Sequence, residues 1–140
     1  MTAHPLDDAA TSVTHMQQVE VTFAARPDMA VLARMTAATV AARADFGVDQ
    51  VEDLRLAIDE LCVTLMGENG AAGRLSVLFD WSEDAVSVTG RLHGARGATR
   101  QRLPSALSER ILDALVDDRG IETTGPDPCM WFIVRRRGTP

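Results

Sequence analysis

The chain has 140 residues, of which 46% are hydrophobic and 24% are charged, and its formal net charge is -6. This length suits one compact domain with a single core, and the composition excludes wholesale disorder or a fibrous repeat. The acidic balance disfavours nucleic-acid binding through a broad basic surface. A protein partner with a basic surface would suit the chain better.

Residue usage excludes further classes of function. All 14 basic residues are arginine, which excludes a Schiff-base lysine and the lysine of a P-loop. No apolar run approaches the roughly 18 residues of a membrane-spanning helix. Met1 to Met16 has neither the basic start nor the apolar stretch of a secretory signal. We therefore expect a cytoplasmic protein that does not enter a membrane.

Cysteines and histidines give little indication of chemistry. Cys62 and Cys129 lie far apart in the sequence, and no CxxC spacing is present, so we expect no metal site. Two reduced, buried thiols are the expected state, with a regulatory disulfide as the alternative. The three histidines His4, His15 and His93 are scattered, and we expect no catalytic cluster among them.

The first third of the chain predicts a tail, a strand and a helix. Residues 1 to 16 are polar and aperiodic, so we expect a mobile N-terminal tail before a single domain over residues 17 to 137. Apolar residues alternate from Val19 to Ala25, which predicts a half-buried strand. Asp28 is placed to start a helix that runs to about Asp45. Its predicted core positions are Leu32, Met35, Thr36, Thr39 and Val40.

The second predicted helix has the clearest pattern in the chain. Asp49 is placed as its N-cap, and Glu52 three residues later would complete a capping box. The helix extends to Met66, before a glycine that stops it. One face carries the predicted core positions Val51, Leu54, Ile58, Leu61, Cys62 and Leu65.

The remaining chain predicts a hairpin, a helix and two short strands. Alternating apolar residues predict a hairpin of strands 75–81 and 86–92, followed by a Gly- and Arg-rich loop to residue 102. A helix follows from about Pro104 and ends between Asp117 and Gly120. Its predicted buried stripe is Leu107, Ile111, Ala114 and Leu115, and the last two predicted strands are 121–123 and 130–134.

This order of elements predicts an α/β fold. It is a two-layer sandwich, with a mixed, mainly antiparallel sheet covered on one face by three helices. Trp131 and Ile133 would then lie on the second face of the sheet, opposite the buried side chains of the last strand. That face is a candidate dimer or partner surface.

The segment from Asp53 to Thr64, DLRLAIDELCVT, carries a family resemblance. It resembles the N-box helix of the GHKL (Bergerat-fold) ATPases, and within them the RsbW/SpoIIAB-type anti-sigma factors, whose helix reads much like LRLAVDEACTN. The Pro27-Asp28 entry to the first helix, the stretch Leu32-Ala33-Arg34 and the final helix-strand-turn-strand are similar to the same family. The resemblance covers residues 18 to 137 and implies the Bergerat, or histidine-kinase-ATPase-like, fold.

The resemblance also implies roles for two residues of this helix. Glu60 matches the glutamate that acts in kinase members as the general base toward a serine hydroxyl. Thr64, one turn later, stands where the family has an asparagine that ligates magnesium, for which a threonine hydroxyl is a weak substitute. Glu60 would then be at most a vestigial general base, or a carboxylate paired with a nearby arginine.

The other nucleotide-binding elements of the family are altered. The aspartate that recognises adenine should lie near residues 92–98, where none is present. Only about ten residues are available for the connection that forms the ATP lid. The final helix opens with a proline and without the glycines that cradle phosphates. The resemblance therefore implies a chain without productive ATP binding and without a cofactor, the alternative being a chain that binds ATP and Mg.

The first helix carries the predicted partner-binding residues. In the family an arginine of this helix contacts the sigma factor, and Arg34 falls at the matching position, with Thr36 and Arg43 at the rim. The alternative for Arg34 is an ordinary solvated arginine. Arg135 to Arg137 could form a nucleic-acid patch, but a solvated chain end is the simpler interpretation.

The function implied is that of an anti-sigma factor. It would sequester an alternative, stress- or development-type sigma factor, and an anti-anti-sigma STAS-domain protein would release it by competition. A homodimer is expected, and no metal or nucleic acid. The alternative is an active ATP-dependent serine-protein kinase that phosphorylates its antagonist; a scaffold that binds another partner is a third interpretation.

Overall fold

A computed structural model describes residues 17–95, 103–122 and 125–138. Five strands form one sheet in the order β1-β2-β3-β5-β4, and its four pairings are antiparallel. The strands are β1 Gln17–Ala24, β2 Arg74–Trp81, β3 Ala85–His93, β4 Asp118–Glu122 and β5 Cys129–Arg135. The helices are α1 Ala30–Arg43, α2 Val48–Met66 and α3 Ala106–Leu115. The predicted N-terminal tail and most of the predicted loop 93–102 lie outside the described residues.

The strand register creates one buried face of the sheet. Phe79 of β2 pairs with Val19 on one side and with Val88 on the other, and Val88 pairs with Phe132. Phe79, Val88 and Phe132 are fully buried. Helices α1 and α2 pack against this sheet, and α3 packs against α2. The predicted two-layer α/β sandwich is thereby confirmed.

Helix α2 lies closest to the centre of the sheet. Five of its six predicted core positions are buried, and Val51 is half-buried. A Cβ on Gly90 of β3 would lie 2.5 Å from Leu61 Cδ2 and 2.8 Å from Leu65 Cδ1. The missing side chain at Gly90 therefore lets α2 approach the sheet closely.

Neither predicted helix cap is formed. Asp28 lies in a short 3-10 turn, Pro27–Met29, and accepts a 2.9 Å hydrogen bond from Arg26 Nη2, while α1 begins after Met29. The N-cap of α2 is Gly47, so Asp49 lies in the first turn, where a carboxylate still interacts favourably with the helix dipole. Glu52 accepts a hydrogen bond from Arg55 rather than completing a capping box.

The prediction for the buried face of α1 was wrong. The side chains that face the core are four alanines and one valine, and of these only Val40 was predicted: Ala30, Ala33, Ala37, Val40 and Ala41. Leu32 is 38% exposed and Met35 is 64% exposed. Small alanines let α1 approach its neighbours closely, so the larger apolar side chains of the helix face outward.

The prediction for the buried stripe of α3 was half right, since Ile111 and Leu115 are half-buried and Leu115 packs against the core. Ser105 caps α3 by accepting a hydrogen bond from Ser108 N at 3.0 Å, and the helix ends at Leu115. Ser108 and Leu112 are its buried residues, whereas Leu107 is 68% exposed. The amphipathic pattern identified a helix, but in so short a segment the contact with α2 decides which side chains point inward.

The C-terminal arginine run is exposed and attached to the domain. Gln50 Nε2 donates to the carbonyl oxygen of Arg135 at 2.8 Å, and Arg137 N donates to Gln50 Oε1 at 2.9 Å. Arg136 Nε donates to the carbonyl oxygen of Glu83. The two bonds of Gln50, a buried residue that the sequence pattern did not single out, fix the end of β5 against the start of α2. The bond to Glu83 joins the same segment to the turn between β2 and β3.

The second face of the sheet is mixed in character. Leu78, Trp131 and Ile133 are half-buried there, beside the polar residues Thr22 and Ser76. The structure therefore exposes the face predicted from Trp131 and Ile133, although it is less apolar than expected. Within the described ranges, no helix is long and apolar enough to cross a membrane.

Candidate functional site

Glu60 lies on α2 and points toward α3. Ser108 Oγ donates a hydrogen bond to Glu60 Oε1 at 2.5 Å. Ser108 is 6% exposed and is oriented by the N-cap of its own helix. The carboxylate therefore accepts a hydrogen bond from a serine hydroxyl across the α2–α3 contact. The structure places this serine, and not the predicted arginine, beside Glu60.

Thr64 lies one turn further along α2. Its side chain is buried, and Thr64 Oγ1 has no hydrogen-bond partner among the described residues. Magnesium favours several exposed oxygen ligands in octahedral geometry, whereas here one carboxylate is engaged and one hydroxyl is shielded from solvent. In the described part of the chain no group of three or more His, Cys, Asp or Glu residues could hold a metal ion. Glu60 and Thr64 therefore present little of the accessible oxygen surface that a magnesium ion prefers.

The remaining predicted nucleotide elements are only partly described. Leu92 and His93 end β3, and residues 96–102 of the predicted connection lie outside the described residues. The first turn of α3 is capped by Ser105 rather than by a glycine-rich turn. The N-terminal end of that helix is therefore occupied by its own side-chain cap.

Arg34 joins α1 to α2. Its Nη1 atom lies 2.9 Å from Asp59 Oδ1, and the two side chains are 33% and 41% exposed. The pair is thus a partly solvated ion pair between two helices. Arg34 keeps an accessible edge, but its guanidinium already has an acidic partner within the chain.

Thr36 and Arg43 line a groove on the other side of α1. The groove has a volume of about 400 Å³, and it opens between α1 and the adjoining strands β1 and β2. It is lined by Val19, Met35, Thr36, Thr39, Val40, Arg43 and Trp81. The structure therefore brings two of the three predicted partner-binding residues together and places Arg34 outside their groove.

Arg43 and Trp81 give this groove its polar character. Arg43 is exposed, and its guanidinium forms no ion pair or hydrogen bond with the described chain. Trp81 Nε1 is buried and lacks a partner there too. Sequence reasoning missed Trp81 as a groove residue, because its place at the end of an alternating strand indicated only core packing.

Both cysteines are free and buried, as predicted. Burial is the main cause that raises the pKa of the Cys62 thiol to about 12; nearby Asp59 raises it further and Arg34 opposes the change. Burial also raises the pKa of the Cys129 thiol. Both thiols therefore stay protonated and unreactive at neutral pH.

His93 contacts two polar side chains of neighbouring elements. Its Nε2 atom lies 3.0 Å from Ser76 Oγ, and its Nδ1 atom lies 3.5 Å from Asp127 Oδ2. Ser76 Oγ also lies 3.1 Å from Thr22 Oγ1. These residues form a polar row that joins β1, β2, β3 and the turn before β5, on the face of the sheet away from the helices.

Comparison with known proteins gives weak but consistent similarities. No family model matches the chain. It is 31% identical over 103 residues to a Mycobacterium tuberculosis protein named anti-sigma-F factor RsbW, covering 74% of this chain and 60% of that protein. It is 27% identical over 74 residues to Bacillus cereus and Bacillus thuringiensis proteins named serine-protein kinase RsbW.

The aligned part is 51% of this chain and 46% of the Bacillus proteins. The chain thus spans about half the length of these curated relatives. All of these relatives are named RsbW, but the Mycobacterium protein is named as an anti-sigma factor and the Bacillus proteins as protein kinases. The similarities support a relationship between this chain and the RsbW-type anti-sigma family.

Proposed function

We propose that the protein is an anti-sigma factor of a partner-switching system. It binds an alternative, stress- or development-type sigma factor, and an anti-anti-sigma STAS-domain protein displaces that sigma factor. The similarity to proteins named RsbW supports the class of function. In the structure, the proposal rests on the apolar residues that α1 exposes to solvent.

Helix α1 is rich in apolar residues on its exposed face as well as on its buried face. Its sequence AVLARMTAATVAAR contains no acidic residue, and its only charges are Arg34 and Arg43. Val31, Leu32 and Met35 are exposed large apolar residues. A helix that is apolar all around is normally buried, so a protein partner that covers this face accounts for its composition.

The contacts of Glu60 and Thr64 on α2 support control by competition rather than by kinase chemistry. Ser108 engages the Glu60 carboxylate, and the Thr64 hydroxyl is shielded. Without a phosphorylation step, release depends on mutually exclusive binding, in which each partner lowers the apparent affinity of the other by mass action. The homodimer implied by the family resemblance belongs to this proposal.

One observation favours the alternative of an active kinase. The Bacillus relatives are named serine-protein kinases, and Glu60 is retained in this chain at the position of the general base. Calorimetry with Mg-ATP tests this alternative on the purified protein and on a Glu60→Gln variant. We expect no saturable heat from either protein. Micromolar binding by both proteins, with phosphoryl transfer to a STAS-domain antagonist by the parent chain but not by Glu60→Gln, would establish the kinase alternative.

The anti-sigma function is tested by affinity capture from the native lysate, followed by reconstitution of the purified complex. We expect a sigma factor to be recovered and to co-elute with the protein on size exclusion. A STAS-domain protein encoded by the same organism should then displace it without ATP. Recovery of partners that include no sigma factor, from cells that express one, would contradict the proposal.

A further inference from the structure

The groove beside α1 is a preformed cavity that adjoins the exposed apolar face of this helix. It lies between Thr36, Thr39 and Arg43 of the helix and Val19 and Trp81 of the sheet. Its walls are mainly apolar, and Val19 and Met35 are exposed to solvent at its edge. A volume of about 400 Å³ is enough for one large side chain and part of the segment that carries it.

The charges around the groove select the chemistry of an occupant. Arg43 is its one charged lining residue, and no described acidic side chain neutralises it. Arg34, by contrast, already pairs with Asp59. An arginine binds a carboxylate through parallel hydrogen bonds, so the unpaired Arg43 is better placed than Arg34 to receive an acidic group.

We infer that this groove anchors the sequestered sigma factor through one bulky apolar side chain, with a carboxylate of the same segment bound to Arg43. The inference rests on the proposed function and deepens it. Sequestration requires a complex that persists until a competitor arrives. A desolvated apolar anchor beside an arginine is the type of contact that dominates such complexes.

The chain contains two tryptophans, and their positions provide a direct test. Trp81 lines the groove, whereas Trp131 packs over Gly120 on the far side of the sheet. The full chain, grown with 5-fluorotryptophan, should give two fluorine resonances, which a Trp131→Phe variant assigns. Adding the unlabelled sigma factor recovered by capture should move the Trp81 resonance and leave that of Trp131 in place.

Two pairs of variants test the anchor. Thr39→Phe fills the groove and Arg43→Glu reverses its charge, and each should weaken sigma binding by at least about tenfold. The matched controls are Ala114→Phe and Arg110→Glu, at exposed positions of α3 that do not line the groove. These should change affinity by no more than about twofold. Circular dichroism checks that all four variants keep the fold.

Each other outcome overturns the inference in a distinguishable way. A stable sigma complex with an unmoved Trp81 resonance would place the contact elsewhere and leave the proposed function intact. Movement of Trp81 with the antagonist but not with the sigma factor would assign the groove to the antagonist. Movement with the concentration of this protein alone would assign it to a second copy. Absence of any sigma complex would overturn the proposed function and this inference together.

Discussion

Arg34 illustrates how one residue can be both structural and available to a partner. Its ion pair with Asp59 spans 2.9 Å between α1 and α2, but the two side chains are 33% and 41% exposed. Solvent screens such a pair, and exposed pairs contribute little to stability. The structure therefore assigns Arg34 a modest role in holding the two helices together.

Reversing the charge at this position separates the two roles. We expect Arg34→Glu to lower the free energy of unfolding by less than about 1 kcal/mol, because solvent screens the new Glu–Asp59 repulsion as well. Urea unfolding measures this, and the double variant Arg34→Glu/Asp59→Arg should restore the loss. If the double variant regains stability but not sigma binding, Arg34 contacts the partner; a loss of several kcal/mol would make it structural.

The Cys62 thiol leads to a pH prediction. Its pKa rises from the ordinary 9.0 to about 12 in the folded chain. Between these values the unfolded chain loses the thiol proton while the folded chain keeps it, so the unfolded chain binds fewer protons. The free energy of unfolding therefore falls as pH rises from 9 to 12. Below pH 9 this contribution is fully present.

A Cys62→Ala variant should show a shallower alkaline decline than the parent protein in denaturant unfolding across this range. The comparison concerns slopes, because the alanine also leaves a cavity that lowers stability at every pH. The native protein should react slowly with a thiol reagent at pH 8, and the unfolded protein rapidly. Equal slopes for the two proteins would contradict the buried, protonated thiol.

At the scale of elements, the contact of α2 with the sheet depends on Gly90. A Cβ at this position would lie within 3 Å of two methyl carbons, on Leu61 and Leu65. These atoms are the flexible ends of side chains, yet the core around them is closely packed. The helix must shift or the leucines must leave their preferred rotamers.

We expect Gly90→Ala to lower the free energy of unfolding by about 1–3 kcal/mol, as overpacking in a core typically does. Gly125→Ala is the matched control, since nothing lies within 4 Å of a Cβ there, and it should stay within about 0.5 kcal/mol of the parent. Denaturant unfolding of the three proteins makes the comparison. An unaffected Gly90→Ala would mean that α2 packs more loosely than the structure shows.

At the scale of the whole molecule, competition has a thermodynamic signature. A partner present at 100 times its Kd adds about 2.7 kcal/mol to the stability of the protein that binds it. We expect the sigma factor and the antagonist each to raise the thermal midpoint when added alone. Added together, they should give the larger single increase rather than the sum, because their binding is mutually exclusive. Additive increases in scanning calorimetry would contradict the shared surface.

Several features follow from the sequence because they depend on neighbours along the chain. Alternation of apolar residues identified the hairpin, and helical spacing identified the core face of α2. The order of elements then allowed few arrangements other than a two-layer sandwich. The residues of the family resemblance, Glu60 and Arg34 among them, were identified from the same local pattern.

Other features were decided by contacts between elements, which spacing along the chain does not encode. Leu32 and Met35 of α1 face outward because the alanines fit against α2 and the sheet. Ser108 meets Glu60, and Trp81 meets Arg43 in one groove, only because residues distant in sequence pack side by side. Local periodicity identifies a helix or strand, but the volume and shape of what packs against it determine which side chains remain for a partner.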